Sequence, residues 1–102
     1  MQEHHVNYKR KVIQWRYIVQ REIITQIIND WDPIGLLDSG APIDEYDLEI
    51  EEILLNMNTG TDDIELANII YKSFKDKMGL SLNKLACLKY AMEISGAIQL
   101  SQ

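Results

Sequence analysis

Apolar residues recur at three- and four-residue intervals in four stretches of this chain, and short passages rich in Gly, Pro, Asn and Asp separate them. That interval is the mark of amphipathic helices, in which one face returns about every 3.6 residues. From about Tyr8 to Trp31, the positions Tyr17, Ile24, Ile27, Ile28 and Trp31 keep the phase of Ile13, with Gln20 as a gap. Within Lys11–Val19, Ile13, Trp15, Tyr17 and Val19 also alternate as in a strand, and β-branched and aromatic residues are dense there. The helical phase runs on into the clearer second half, so the spacing predicts one long first helix.

A second helix is predicted from Asp44. Asp44 is placed to cap the free N–H groups, with Asp47 three residues on as the returning acid of a capping box. Ile43 and Leu48 have the spacing of a hydrophobic staple, and Ile50, Ile53, Leu54 and Met57 form the buried stripe. Asn58-Thr59-Gly60-Thr61 ends the helix. A third helix starts at or near Thr61 with Asp62, Asp63 and Glu65 in its first turn, buries Ile64, Ala67, Tyr71, Phe74 and Met78, and closes at Gly79. Ser81 is placed to cap a fourth helix that buries Leu82, Leu85, Leu88 and Met92, with Ala86, Cys87, Ala91 and Ile94 widening the face, and that frays near Gly96. Four amphipathic helices with short connections predict an all-α protein, a small four-helix bundle in a single domain over residues 1–102. Residues 1–7 are expected to be a flexible tail.

The passage Trp31–Asp47, WDPIGLLDSGAPIDEYD, joins the first two helices as a Pro- and Gly-rich loop. Asp32-Pro33-Ile34-Gly35 fits a type I turn, with Asp first, Pro second and Gly fourth. A residue before proline is pushed out of the α region, so the first helix should stop by Trp31. Asp38-Ser39-Gly40 is a second turn signal, and Pro42 leads into the Asp44 cap. Trp31, Asp32, Pro33, Gly35, Pro42, Asp44 and Asp47 are thus assigned conformational work, with Trp31, Ile34, Leu36 and Leu37 pinning the loop to the bundle.

These residues also carry a resemblance. WDPIGLL followed by GAPIDEYDLEI resembles the small bacterial YugE-like family, over roughly Ile24 to Lys77. Similar blocks occur in small immunity-type proteins that neutralise partner toxins. The resemblance implies a small helical domain and brings no established activity. The segment up to about residue 20 departs from the short family form.

Charge sharpens the picture. Of a net −6, the fifty residues between Arg21 and Lys72 hold thirteen carboxylates and no lysine or arginine. Phosphate backbones need a basic face, so nucleic acid is excluded as a partner of this region, while a basic protein suits it. The competing reading is that the acidic centre packs against the basic ends and neutralises itself. Asp44, Glu45, Tyr46, Glu49 and Glu52 are the candidate partner-binding residues, since 45, 49 and 52 share a helix face and Tyr46 would anchor among them. Trp15 and Tyr17 exceed what a small bundle buries and, if exposed, would form a homodimer seam or a partner groove along the first helix.

The chemistry-bearing alternatives are thinner. Glu49 and Glu52, with Asp62 and Glu65, have the spacing of carboxylate pairs on facing helices that hold a divalent metal for phosphate hydrolysis. They resemble the paired motifs of all-helical nucleotide pyrophosphohydrolases, but the second pair is DxxE and follows only ten residues after the first. Asp30, Asp32 and Gly35 match three positions of an EF-hand loop, yet Ala41 stands where a bidentate Glu is required. His4 and His5 are adjacent in the expected tail, with no third histidine to act as a base. Cys87 lies in an Ala- and Leu-rich stretch that favours packing over reactivity. The lone cysteine, the polar start and the lack of any long apolar run point to a cytoplasmic protein without a membrane partner. No cofactor motif is present. The expectation is a non-catalytic protein-binding module, an immunity-like inhibitor in its most concrete form. A metal-dependent hydrolase and a self-associating structural module are the alternatives.

Overall fold

A computed structural model describes the backbone from Gln2 onward and the side chains from Trp15 onward. Met1 and the side chains of residues 2–14, those of His4, His5 and Ile13 among them, lie outside that part, while the backbone of residues 2–7, expected as a flexible tail, is helical. The chain forms α1 (Gln2–Trp31), α2 (Asp47–Asn56), α3 (Asp63–Met78) and α4 (Lys84–Leu100). The four helices pack in a ring: α1 runs beside α2 and α4, and α3 beside α2 and α4, with Trp31 of α1 reaching Phe74 of α3 across one diagonal. Among the described residues there is no strand, so the helical phase prevails over the alternation in Lys11–Val19. None of the helices searched there is long and apolar enough to cross a membrane.

Ile24 and Ile28 of α1, Ile50, Ile53 and Leu54 of α2, Leu66, Ile70 and Phe74 of α3, and Cys87, Ala91 and Ile94 of α4 build the core. Two helices present a face turned somewhat from the one expected. On α3, Ala67 and Phe74 are buried and Tyr71 and Met78 pack on the core as expected, but Ile64 is exposed, and Leu66 and Ile70 join the core. On α4, Leu85 and Met92 point outward while Cys87, Ala91 and Ile94 turn inward, with Leu88 and Ile98 packed beside them. Apolar residues cover almost the whole circumference of α4, so periodicity alone could not choose between the two faces.

The helix ends show which capping signals operate. Asp62 caps α3 by accepting from the Glu65 N–H, and Gly79 closes it at φ 69°. Asn83, not Ser81, caps α4 by accepting from the Ala86 N–H, and α4 runs past Gly96 to Leu100. The expected cap of α2 is not made. Residues 43–46 form turns, with Glu45 N–H to the Pro42 carbonyl and Asp47 N–H to the Asp44 carbonyl, and the helix begins only at Asp47. Its N-cap position is Tyr46, without a side-chain cap bond. Ile43 and Leu48 are both exposed, so the staple does not form either.

Candidate functional site

Asp32 is the centre of the loop that positions α2. Its N–H still bonds the Ile28 carbonyl at 2.8 Å, closing α1, and its own carbonyl accepts from the Gly35 N–H at 2.9 Å in the expected turn. Its backbone sits at φ 48° rather than in the extended region a residue before proline prefers. Aspartate tolerates this left-handed conformation better than most residues, and here three donors hold it. The carboxylate accepts from the Leu37 and Asp38 N–H groups and, at 2.5 Å, from the Tyr46 hydroxyl. The hydroxyl holds the Asp32 carboxyl below its ordinary range. Burial, with this bond to a carboxylate, pushes the Tyr46 phenol up to about 12.

Tyr46 is therefore a core residue, fully buried and 5.8 Å from the Phe74 ring, and cannot be the exposed anchor expected of it. Trp31 stacks on Tyr90 at 4.3 Å and leans on Phe74, so both ends of the loop are seated on α3 and α4. One hydrogen bond, Asp32 to Tyr46, joins the WDPIG block to the DEYD block.

With α2 held this way, its sides become distinct. Toward α1, Glu51 accepts from the Tyr17 hydroxyl at 2.6 Å and from Arg21, whose other nitrogen lies 3.8 Å from Asp47. Toward α3 lie Glu49 and Glu52, turned to a neighbouring helix rather than to solvent, while Glu45, expected on the same face, is exposed in the turn before α2. Glu49 is only 2% exposed, and its Oε1 has no hydrogen-bond partner. Burial pushes its carboxyl up, with Glu45 and Glu52 adding to the rise and Lys77 of α3 opposing it. Glu52 is half-buried with its Oε2 unpartnered. Between the α1 and α3 sides, Leu48 and Leu55 stand out at 69% and 75% exposure, two turns apart, with Glu51 and Glu52 flanking the line between them.

No family model, curated protein or solved structure matches the chain.

Of the expected partner-binding residues, Asp44 and Glu45 are exposed, Glu52 is at the edge of the α3 seam, and Tyr46 and Glu49 are buried. The metal alternative is not assembled. The Asp62 carboxylate is engaged in the cap of α3, where it accepts from the Glu65 backbone N–H, and among the described residues no three His, Cys, Asp or Glu side chains are placed to hold an ion. Cys87 is buried, and burial pushes its thiol up to about 11, which suits packing and not nucleophilic attack. The sequence reading missed Leu48, Leu55 and Ile43 as surface residues. The signal was present in the adjacent pair Leu54-Leu55, of which a helix with one core face buries only one.

The internal-neutralisation reading also meets a measurable answer. Among the described residues, the salt bridges of the acidic centre are those of Arg21 to Asp47 and Glu51. Most carboxylates of the centre therefore face solvent or the α2–α3 seam without contact to a basic side chain among the described residues.

Proposed function

We propose that this domain is a non-catalytic protein-binding module that takes a basic, partly apolar partner on the outer side of α2. The observation that supports it is the Leu48–Leu55 line, two large apolar side chains left in water on a helix whose flanks carry Glu51 and Glu52, with Glu45 exposed in the turn before it. Apolar area supplies the affinity of such a contact, and the surrounding carboxylates supply fast, salt-sensitive association with a basic surface. Asp44 and Ile43 are also exposed, in the turn before α2, where they line a groove against α1. In its most concrete form the module is an immunity-like inhibitor that covers a basic toxin in the cytoplasm by charge complementarity and steric blockage. Membership of the YugE-like family is part of the same proposal. It is supported by the Asp32–Tyr46 bond, which gives the two resembling blocks a shared structural task.

The test is capture with wild type beside a Leu48→Ser, Leu55→Ser double variant, whose exposed positions leave the core intact. A basic protein retained by wild type, released by salt and absent from the variant supports the reading. Equal retention by both baits removes α2 as the docking surface. A second reading, self-association through α1, has its own observation. Trp15 is 66% exposed beside a groove of about 800 Å³ that also takes in Val19 and Ile98. A mass that doubles with concentration, and returns to monomer in Trp15→Ala, would establish it.

A further inference from the structure

The charges of this chain are divided between two parts of the molecule. Residues 1–16 hold four basic residues, Lys9, Arg10, Lys11 and Arg16, against one acid, while the remainder holds six basic residues against fifteen acids. α1 carries all four of those basic residues in one unbroken helix from Gln2 to Trp31, 30 residues against 10 in α2 and 17 in α4. Its pairs with α2, Tyr17 with Glu51 and Arg21 with Asp47, run in opposite directions at equal spacing. That register sets Asn56, the last residue of α2, level with the backbone of Val12. On the other side, Trp15 and Arg16 line a groove with Ser101 and Gln102, just past the end of α4. The first turns of α1 therefore run past the bundle, and a continuous helix cannot fold them back onto their own acidic centre.

The surface that suits them lies along the α1–α2 groove, a space of about 550 Å³. Ile18 and Ile43 line it at 45% and 75% exposure, and Glu22, Asp44 and Asp47 give it negative charge. Arg21, its basic residue, is engaged by Asp47 and Glu51, whereas Glu22 and Asp44 make no salt bridge among the described residues. The larger groove beside Trp15 has no carboxylate side chain in its lining, so charge favours the α1–α2 side for a basic helix. One chain thus holds both halves of a contact, a basic helical arm and an acidic groove with apolar walls, out of each other's reach. A two-fold axis brings both together at once, because each copy then gives its arm to the groove of the other.

We propose that two copies of this chain pair through α1, antiparallel about an axis near Trp15, with the first turns of each α1 seated in the α1–α2 groove of the other. An axis there brings Glu22 of one copy level with Tyr8 of the other, next to Lys9 and within a turn of Lys11. Trp15, 66% exposed in the single chain, meets its counterpart at the axis, and the arm covers Ile18 and Ile43. Exposed ion pairs contribute little energy each, so the apolar cover supplies the affinity and the charges fix direction and register. This inference rests on self-association through α1 and goes beyond it by naming the two surfaces that meet.

Sedimentation velocity on the full chain tests it, with two charge-reversal variants. One reverses the arm, Lys9→Glu, Arg10→Glu and Lys11→Glu. The other reverses the groove at two exposed positions, Glu22→Lys and Asp44→Lys. Wild type should form a dimer whose dissociation constant rises with sodium chloride, and each variant alone should dimerise at least about tenfold more weakly. In an equimolar mixture the reversed arm meets the reversed groove and the unchanged arm meets the unchanged groove, so dimerisation should return to the wild-type strength. A variant weakened only by misfolding would not recover on mixing. Undiminished dimerisation of both variants, or a mixture no stronger than its components, overturns the arm-in-groove contact and leaves self-association through Trp15 standing. A wild type that stays monomeric at every concentration overturns both, and leaves the groove to a basic partner of another kind.

Discussion

At the scale of the residue, Asp32 and Tyr46 carry the strongest expectations. Removing the Tyr46 hydroxyl strips Asp32 of its shortest donor while leaving the ring against Phe74. Tyr46→Phe should therefore cost about 1–2 kcal/mol in urea unfolding, a lost buried hydrogen bond and not a lost core residue. The pair also sets two pH limits. The Asp32 carboxyl is lowered in the fold, so its stabilisation is complete above its unfolded pKa and disappears as pH falls through the folded one. The Tyr46 phenol is raised to about 12, so its contribution is complete below about 10, the unfolded value, and is lost as pH rises toward 12. In Tyr46→Phe the alkaline branch of the stability profile should flatten. Glu49 works in the opposite sense to Asp32. Its carboxyl is raised, so its contribution is complete below the unfolded pKa and lost as pH rises through the folded one. Glu49→Gln should raise Tm at pH 7 and leave it nearly unchanged at pH 3.5. A lower Tm at pH 7 would mean that the carboxylate has a partner in solution.

At the scale of the element, the helix starts separate real caps from apparent ones. Asn83 and Asp62 each accept an N–H from the first turn of their helices, while Asp44 accepts none in that way. Asn83→Ala should cost about 1 kcal/mol, whereas Asp44→Ala should stay within about 0.5 kcal/mol of wild type, the range of ordinary surface changes. Chemical denaturation of the two variants side by side decides between them. The same contrast holds on α4 for packing. Ile94→Ala removes a fully buried side chain and should cost about 2–4 kcal/mol, while Leu85→Ala, at 78% exposure, should be close to neutral. If Leu85 proved the costlier of the two, the rotation of α4 described above would be wrong.

At the scale of the whole molecule, α1 is the longest element, about 45 Å at 1.5 Å per residue, against a longest dimension of 52 Å. α2 and α4 run back along it: Arg21 meets Asp47 and Tyr17 meets Glu51 on one side, while Trp31 meets Tyr90 on the other. The ring encloses Cys87, which makes its thiol a reporter of global opening. A thiol reagent should label the native protein slowly, and the labelling rate should rise in step with unfolding in urea. Rapid labelling without denaturant would place α4 in a locally open state.

The chain's own pattern was enough to specify four helices, the end of α1 at Trp31, the Gly79 closure and the stripe of Ile50, Ile53 and Leu54. These depend on local conformational preference and on a period that the backbone imposes. It was also enough to put Glu49 and Glu52 on one face of α2, though not Glu45, which stays in the turn before it. What it could not contain was the direction in which that face looks, because both solvent and a neighbouring helix are compatible with the same spacing. The tertiary structure decided this. Tyr46 reaches back to Asp32 and sinks against Phe74, which delays the start of α2 to Asp47 and turns the glutamate stripe into the α3 seam. The same closure leaves Leu48 and Leu55 outside. Rotation of a helix about its axis is set by contacts between residues distant in sequence, and the pattern within one helix does not record them.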